Sequence, residues 1–474
     1  MHGTDLGIIT LIPAISFLVL ALVTKKCILS IMLSGIMGYF FYYGPGFFMP
    51  MMKALQKAAC DGDNNYIVII CLLFGCLVQL LRQSKGAMAV GNLARKYIKT
   101  EKQVLLLTYL CGIIIFIDDY LSILVTANCV LDLADEKKTP REMLCYIINT
   151  TSAPVCLIIP ISAWVVFFSG IFGQQKEAAV VGSSSMSIYY HIMPYFFYPF
   201  LCVLFVLLVI LGIVPKMGGI KKAYERVATT GQLWPESSNM QNQGDDLGEV
   251  MGAITDNSKK EEREIEPHLW TFIVPMLVVI VSALWLDDIL YGVTLGIAIC
   301  FVTYLPTRVM SLSSFCDACY KGLEDMLFIA VVLVTSLFYR DSINLVGLPH
   351  YLIKIAGPYM NAVWLPAIAF ILIGLVCFAT GNIWSVPAVC TPIILPLAVS
   401  TGASIPLTLG AIISAACFGA QACFYSDVTL LSASACRINN VDYAVAQLPY
   451  IGIVTAISFV LYVIAGFAMA KKMC

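Results

Sequence analysis

The sequence has little charge. Only 12% of its 474 residues are Asp, Glu, Lys or Arg, whereas an ordinary soluble domain has about 25%. Because 60% of the residues are hydrophobic, a soluble fold could not cover its surface with polar groups. We therefore expect lipid to be the solvent for the apolar surface. The chain is predicted to be a multi-pass protein of the cell membrane, meaning a prokaryotic inner or plasma membrane.

Histidine is also scarce, which disfavours a haem or metal enzyme. The four histidines are scattered: His2, His191, His268 and His350. Most of the 18 cysteines lie in apolar runs, where free cysteine acts as a small hydrophobic residue. The CxxC of Cys316 and Cys319 has no second pair and is a weak metal signal. With no phosphate loop or nucleophile triad in the sequence, neither an enzyme nor a cofactor is expected. The net charge of -1 gives no reason to expect nucleic acid.

Apolar runs of membrane-spanning length recur along the chain. A span needs about 20 apolar residues. Clear candidates lie at 6–23, 28–47, 66–82, 103–117, 190–214, 268–286, 288–305, 361–379 and 446–470. Apolar stretches interrupted by polar residues, Pro or Gly lie at 118–131, 143–172, 326–346, 384–400 and 405–436. The sequence thus predicts an all-α polytopic membrane protein with about eleven to thirteen segments, some of them broken or re-entrant.

One long hydrophilic stretch divides the chain into three parts. Residues 1–215 form a first transmembrane half, 216–267 a hydrophilic loop, and 268–474 a second transmembrane half. The loop is expected to be flexible and cytoplasmic, because its basic residues can then share one face with those near 25–26 and 82–102. We interpret it as a plain connector, with a regulatory role as the alternative.

Two adjacent carboxylates interrupt strongly apolar sequence. Asp118 and Asp119 follow the run Ile113–Ile117, and Ser122 comes one turn later. An ionisable group at the centre of a membrane helix costs about 2.5–3.5 kcal/mol, so it persists only beside water, a partner or an ion. Neighbouring carboxylates titrate as a coupled pair, and a cation between them would relieve their repulsion. Protons and a cation would then compete for the same oxygens; the alternative is a loop in water.

Further polar interruptions occur in both halves, and two of them, at 149–154 and 379–387, contain or precede prolines. Prolines break helices and free carbonyl groups, and broken helices at membrane depth are tolerated where they line a cavity. Paired breaks in the two halves are typical of a two-repeat transporter site; the alternative is an ordinary proline kink. The candidate ligands at these interruptions are Asn149, Thr150, Thr151, Ser152, Thr380, Asn382, Ser385, Ser426, Asp427 and Thr429.

These motifs resemble the NhaC family of Na⁺/H⁺ antiporters, in the wider ion-transporter superfamily. The likeness lies in Phe116-Ile117-Asp118-Asp119-Tyr120, in Thr151-Ser152-Ala153-Pro154-Val155-Cys156, in the stretch from Ser426 to Ser432, and in 86–94. The resemblance implies inverted repeats with re-entrant hairpins, a homodimer and an elevator-like motion. It also implies site roles for seven residues: Asp118, Asp119, Thr151, Ser152, Ser426, Asp427 and Thr429.

The transported ion or solute has two alternatives, because the chain departs from the family pattern at 380–385 and 421–425. The first is Na⁺/H⁺ antiport through carboxylates at a mid-membrane site, with Na⁺ and H⁺ as partners and hydroxyl and carbonyl oxygens completing the shell. The second is Na⁺- or H⁺-coupled transport or exchange of a small organic acid or amino acid. Arg340 would then bind the substrate carboxylate rather than pair with Asp341.

Overall fold

The computed structural model describes residues 6–24, 26–60, 62–86, 89, 98–238, 268–286, 288–356, 361–381, 383–424 and 426–470. Within these ranges the regular structure is helical and there is no β-strand. The predicted all-α class is therefore confirmed.

The helices are numbered in chain order. Those of the first half are α1 (Leu11–Thr24), α2 (Cys27–Tyr43), α3 (Phe48–Cys60), α4 (Gly62–Gln83), α5 (Glu101–Ile114), α6 (Asp119–Glu136), α7 (Arg141–Thr150), α8 (Ala153–Ile158), α9 (Ala163–Gly173), α10 (Ser185–Ile192) and α11 (Phe197–Leu211). The hydrophilic stretch contributes α12 (Gly218–Thr230). Those of the second half are α13 (Trp270–Leu286), α14 (Ile289–Tyr304), α15 (Leu312–Leu345), α16 (Leu348–Ala356), α17 (Leu365–Thr380), α18 (Ser385–Thr401), α19 (Ile405–Ala422), α20 (Asp427–Ala435) and α21 (Asn440–Ala470).

Apolar helices long enough to cross a membrane are present in both halves. By length and composition, four single helices qualify, and two bent pairs raise the number to six; six shorter apolar helices accompany them. The predicted number of eleven to thirteen membrane segments stays a prediction. The run predicted as one span at 190–214 is instead bent by 52° at the break between Tyr195 and Phe197, just after a short 3-10 turn that contains Pro194.

Four interruptions of equal length recur in the two halves. Residues 115–118 separate α5 from α6, and 159–162 separate α8 from α9. In the second half, 381–384 separate α17 from α18, and 423–426 separate α19 from α20. Two of these breaks contain the same type of hydrogen bond. Ser162 Oγ donates to the carbonyl six residues earlier at 2.6 Å, and Ser426 Oγ donates to the carbonyl six residues earlier at the same distance. This recurrence supports the predicted repeat.

The broken helices lie in the protein interior, and the outer helices present apolar side chains outward. All ten residues of α7 are buried, as are all but two of the eighteen in α19. On the outer helices, Trp285 is 84% exposed and Val281 59%. Exposed apolar faces of this size are expected where lipid replaces water.

Helices α4 and α15 approach each other closely beside the broken helices. A methyl group added to Gly75 would lie 2.2 Å from the carbonyl oxygen of Gly322, and one on Gly322 would lie 2.3 Å from that of Gly75. Small residues allow this approach, as they do between membrane helices generally. The contact fixes the positions of the polar side chains on both helices.

The start of the hydrophilic stretch is folded, which its composition did not predict. Helix α12 packs against α21 and α7. Arg226 on α12 makes a bidentate ion pair with Glu142 on α7, at 2.8 and 3.0 Å. The backbone N–H of Arg141 donates to the carbonyl of Leu233 at 3.1 Å. The rest of the predicted loop, 239–267, lies outside the described residues.

Candidate functional site

A cavity of about 410 Å³ lies between α4, α15 and the broken helices. Water occupies about 30 Å³ in the liquid, and small-molecule sites in proteins measure about 300–1,000 Å³. The cavity can therefore hold a hydrated ion or a small organic molecule. Its polar and charged lining residues are Gln79, Arg82, Asp118, Asp119, Tyr120, Lys321, Asp325, Trp384, Asp427 and Ser434.

The first residues of helices that follow the four breaks form one side of the cavity. Asp119 begins α6 and Asp427 begins α20, while Ala163 begins α9 and Trp384 immediately precedes α18. The N-terminal end of a helix carries a partial positive charge. This side of the cavity is therefore suited to hold carboxylates, and it places two of them in first turns.

Asp118 and Asp119 have different surroundings, although the sequence alone did not separate them. Both are buried, at 4% and 2% exposure. Asp118 caps α6, because its Oδ1 accepts a hydrogen bond from the backbone N–H of Leu121 at 2.8 Å. Asp119 Oδ2 makes no hydrogen bond to any described residue. Asp119 is thus the carboxylate with a free oxygen for a cation or a proton.

Asp427 is held by two donors. Its Oδ2 accepts a hydrogen bond from the phenol of Tyr120, and its Oδ1 accepts one from the backbone N–H of Val428 at 2.9 Å. Tyr120 follows Asp119 on α6, so this bond joins the carboxylate-bearing turns of the two halves. Asp118, Asp119 and Asp427 all line the one cavity, and their role as ion ligands stays a prediction.

The opposite side of the cavity carries charges that the sequence reasoning missed. Gln79 Nε2 donates to Asp325 across the contact between α4 and α15. Lys321 Nζ lies 3.9 Å from Asp325 and 3.1 Å from Glu324. Arg82, near the end of α4, also lines the cavity. The available signal was the spacing of 79 and 82 and of 321 and 325, which puts each pair on one helix face.

Two tryptophan rings are in contact at the cavity, and one of them, that of Trp384, lines it. The rings of Trp164 and Trp384 lie 4.5 Å apart between centroids, and Trp164 is fully buried. The indole of Trp164 interacts with the carboxylate of Asp119, although its Nε1 makes no hydrogen bond of standard geometry with any described residue. Trp164 follows the break at 159–162 in the first half, and Trp384 lies in the break at 381–384 in the second half. Their contact therefore joins the two halves beside the site.

Behind the carboxylates, a buried network connects the other polar interruptions. Gln421 donates to Thr150 Oγ1 at 2.7 Å and accepts from Tyr198 at 2.7 Å. Asn149 donates to the phenol of Tyr443 at 2.6 Å. Two candidates from the sequence therefore belong to this network, and they do not line the cavity.

Most of the predicted hydroxyl ligands bond to the backbone. Thr151, Ser152 and Thr380 donate to carbonyls three or four residues earlier, as expected of helix hydroxyls. Ser426 and Thr429 donate to the carbonyl of residue 420. Ser122 and Ser385 are buried, and neither hydroxyl residue lines the cavity. Asn382 lies outside the described residues.

Two other expectations concerned metals and Arg340. Among the side chains that the structure describes, no three of His, Cys, Asp or Glu are placed to hold a metal ion together. Arg340 lies away from the cavity: it donates to the carbonyl of Gln174 at 2.9 Å and lies 3.9 Å from Asp341. Of the two alternatives for Arg340, the structure therefore favours charge neutralisation by the neighbouring Asp341 over binding of a substrate carboxylate.

A multi-pass helical protein whose broken helices bring carboxylates to one internal cavity belongs to the class of secondary active transporters. A family model for the Na⁺/H⁺ antiporter family matches residues 155–467. The chain belongs to this family, which confirms the resemblance and makes it a secondary active transporter of the membrane.

Two individual proteins are similar over most of the chain. An uncharacterized protein of Haemophilus influenzae is 23% identical over 504 aligned positions, covering 97% of this chain and 91% of its own. MtrF of Neisseria gonorrhoeae, described as illuminating a class of antimetabolite efflux pumps, superposes with a TM-score of 0.54 at 14% identity. The superposition covers 88% of this chain and 83% of MtrF, and it shows a shared fold.

Proposed function

We propose that the protein exchanges Na⁺ for protons, and that Asp119 and Asp427 are the groups on which the two ions compete. The observation that carries this proposal is the free Oδ2 of the buried Asp119 in a cavity shared with Asp427. Because an unpaired buried carboxylate is costly, it must take a cation or a proton. Alternate occupancy of one site by either ion gives antiport when the site opens in turn to the two sides of the membrane.

The charges around the cavity favour a cation. Four aspartates line it against one arginine and one lysine. Lys321 is already close to Asp325 and to Glu324. The negative excess lies on the side formed by the helix starts, where Asp119 and Asp427 project from first turns. Oxygen ligands are those that Na⁺ and other hard cations prefer.

Flux measurements in proteoliposomes test this proposal. A Na⁺ gradient should drive proton movement with the wild-type protein, and Asp119→Asn should abolish it because the neutral amide cannot exchange a proton. Asp427→Asn should reduce it strongly. Asp341→Asn is a matched control, since Asp341 is partly exposed and lies away from the cavity. Wild-type exchange by Asp119→Asn would refute the proposal.

The cavity volume favours a second candidate, in which a small organic acid or amino acid is carried together with Na⁺ or H⁺. About 410 Å³ is far more than a dehydrated metal ion occupies, and it is typical of small-molecule sites. Uptake of labelled amino acids and carboxylic acids into the same proteoliposomes would distinguish the candidates. Three further expectations stay predictions under either candidate function. They are the homodimer, the elevator-like motion and the three-part division of the chain.

A further inference from the structure

Two buried polar atoms of opposite charge remain without hydrogen-bond partners at the cavity. One is Nη2 of Arg82 and the other is Oδ2 of Asp119, as judged over the described residues. Both residues line the same cavity, Arg82 from α4 and Asp119 from the start of α6. Burying such groups unpaired is unfavourable, and more so when they are charged. The indole of Trp164 lies beside the Asp119 carboxylate, and the charges of Asp118 and Asp325 lie near Arg82. Neither unpaired atom makes a hydrogen bond of standard geometry with them, so a ligand can complete both.

We propose that the cavity binds an amphoteric solute of the amino-acid class, with its carboxylate on Arg82 and its ammonium group on Asp119. The inference rests on the proposed function in one respect, namely that this cavity is the transport site. An ammonium group takes the place of a metal cation beside Asp119. The guanidinium of Arg82 offers the planar, charged donors that recognise a carboxylate.

Solutes with a single charge satisfy only one of the two unpaired atoms. A simple carboxylic acid would satisfy Arg82 and leave Asp119 unpaired, while adding negative charge to a cavity with four aspartates. A simple amine would satisfy Asp119 and leave Nη2 of Arg82 without an acceptor. A molecule that carries both groups satisfies both, and this favours it over either analogue.

The remaining lining indicates an apolar side chain on the solute. Apolar residues of α4, α15 and α20 face the cavity: Val78, Met326, Phe328, Leu430 and Leu431. Burying apolar area contributes about 25 cal/mol per Å². The cavity is also large enough for an amino acid of this kind, because small-molecule sites begin at about 300 Å³. Leucine, methionine and phenylalanine are therefore suitable probes.

Equilibrium binding to the purified full-length protein in Na⁺-free buffer, where no metal cation competes for Asp119, tests the inference. Each of the three amino acids is compared with the amine that lacks its carboxylate and the acid that lacks its amine. At least one amino acid should bind saturably, and at least tenfold more tightly than either of its analogues. Arg82→Gln should lower the affinity for that amino acid to the level of the amine, with the amine's own affinity changed less than twofold.

Arg340→Gln is the matched control, because it makes the same replacement on an arginine outside the cavity. It should leave the affinity and the tenfold preference intact, and near-wild-type melting of both variants shows that they are folded. The inference is overturned if none of the three amino acids binds, or if Arg82→Gln weakens amino acid and amine equally.

Na⁺-driven proton movement in proteoliposomes without amino acid reports separately on the proposed function. Exchange without amino-acid binding would overturn this inference alone. Amino-acid binding without Na⁺/H⁺ exchange would instead leave the inference standing and reject the proposed ion exchange.

Discussion

Tyr120 donates its phenolic O–H to Oδ2 of Asp427, and so connects the first turn of α6 to the first turn of α20. The two residues are separated by about three hundred positions and belong to different halves of the chain. Asp119, which precedes Tyr120, has the free carboxylate oxygen. One turn of α6 thus provides a ligand and also positions the carboxylate of the other half.

Removing this phenol should weaken Na⁺ binding. A hydrogen bond to a charged group contributes about 1.5–3 kcal/mol, and here it stabilises the ionised form of Asp427, which is the form that binds a cation. We expect Tyr120→Phe to raise the Na⁺ concentration for half-maximal exchange by about tenfold, since 1.4 kcal/mol corresponds to a factor of ten. The exchange rate in proteoliposomes, measured over a range of Na⁺ concentrations, gives this half-maximal concentration.

Tyr195→Phe serves as a comparison, because Tyr195 packs against α19 away from the cavity. An unchanged half-maximal Na⁺ concentration in Tyr120→Phe would show that the phenol does not influence the ion site.

The contact of Gly75 with Gly322 should be sensitive to one added methyl group. In Gly322→Ala the methyl group would lie 2.3 Å from a backbone oxygen, so α4 and α15 must separate. Overpacking of this kind costs about 1–3 kcal/mol, and we expect a lower melting temperature in detergent. In Gly452→Ala, the control, the methyl group meets no atom within 4 Å. Equal melting of the two variants would contradict the packing described.

The network behind the cavity should contribute stability. Gln421→Leu would leave Tyr198 without its acceptor and Thr150 without its donor, both in buried positions. Each such loss costs about 1–3 kcal/mol, so the variant should melt well below the wild type. Tyr198→Phe removes one of the two bonds and should have a smaller effect. A Gln421→Leu protein as stable as wild type would show that the network is not needed.

The sequence was most informative where charge interrupts apolar runs. Asp118, Asp119 and Asp427 were predicted because a carboxylate in such a run has few structural uses, and all three line the cavity. The helical class and the paired breaks followed from the same patterns. Helix packing across the cavity could not be predicted, because it depends on long-range contacts such as that between Gly75 and Gly322.

The residues that were missed have ordinary local surroundings in the sequence. Arg82 and Lys321 resemble the charges that commonly flank membrane helices, and only the fold shows that they face the carboxylates. Conversely, Thr151 and Ser152 were included because hydroxyls can bind Na⁺. Their hydroxyls donate to backbone carbonyls, a local bonding pattern that composition does not determine, and their oxygen lone pairs stay available to a cation.

Direct binding of radioactive Na⁺ to the purified protein, measured over a range of pH, tests the central claim most directly. If Na⁺ and protons compete for Asp119 and Asp427, the apparent Na⁺ affinity of the wild type must fall as the pH is lowered. Asp119→Asn must lose saturable binding. Asp118→Asn should retain it with reduced affinity, because asparagine also caps helices. Saturable Na⁺ binding that is independent of pH, or that persists in Asp119→Asn, would contradict the account.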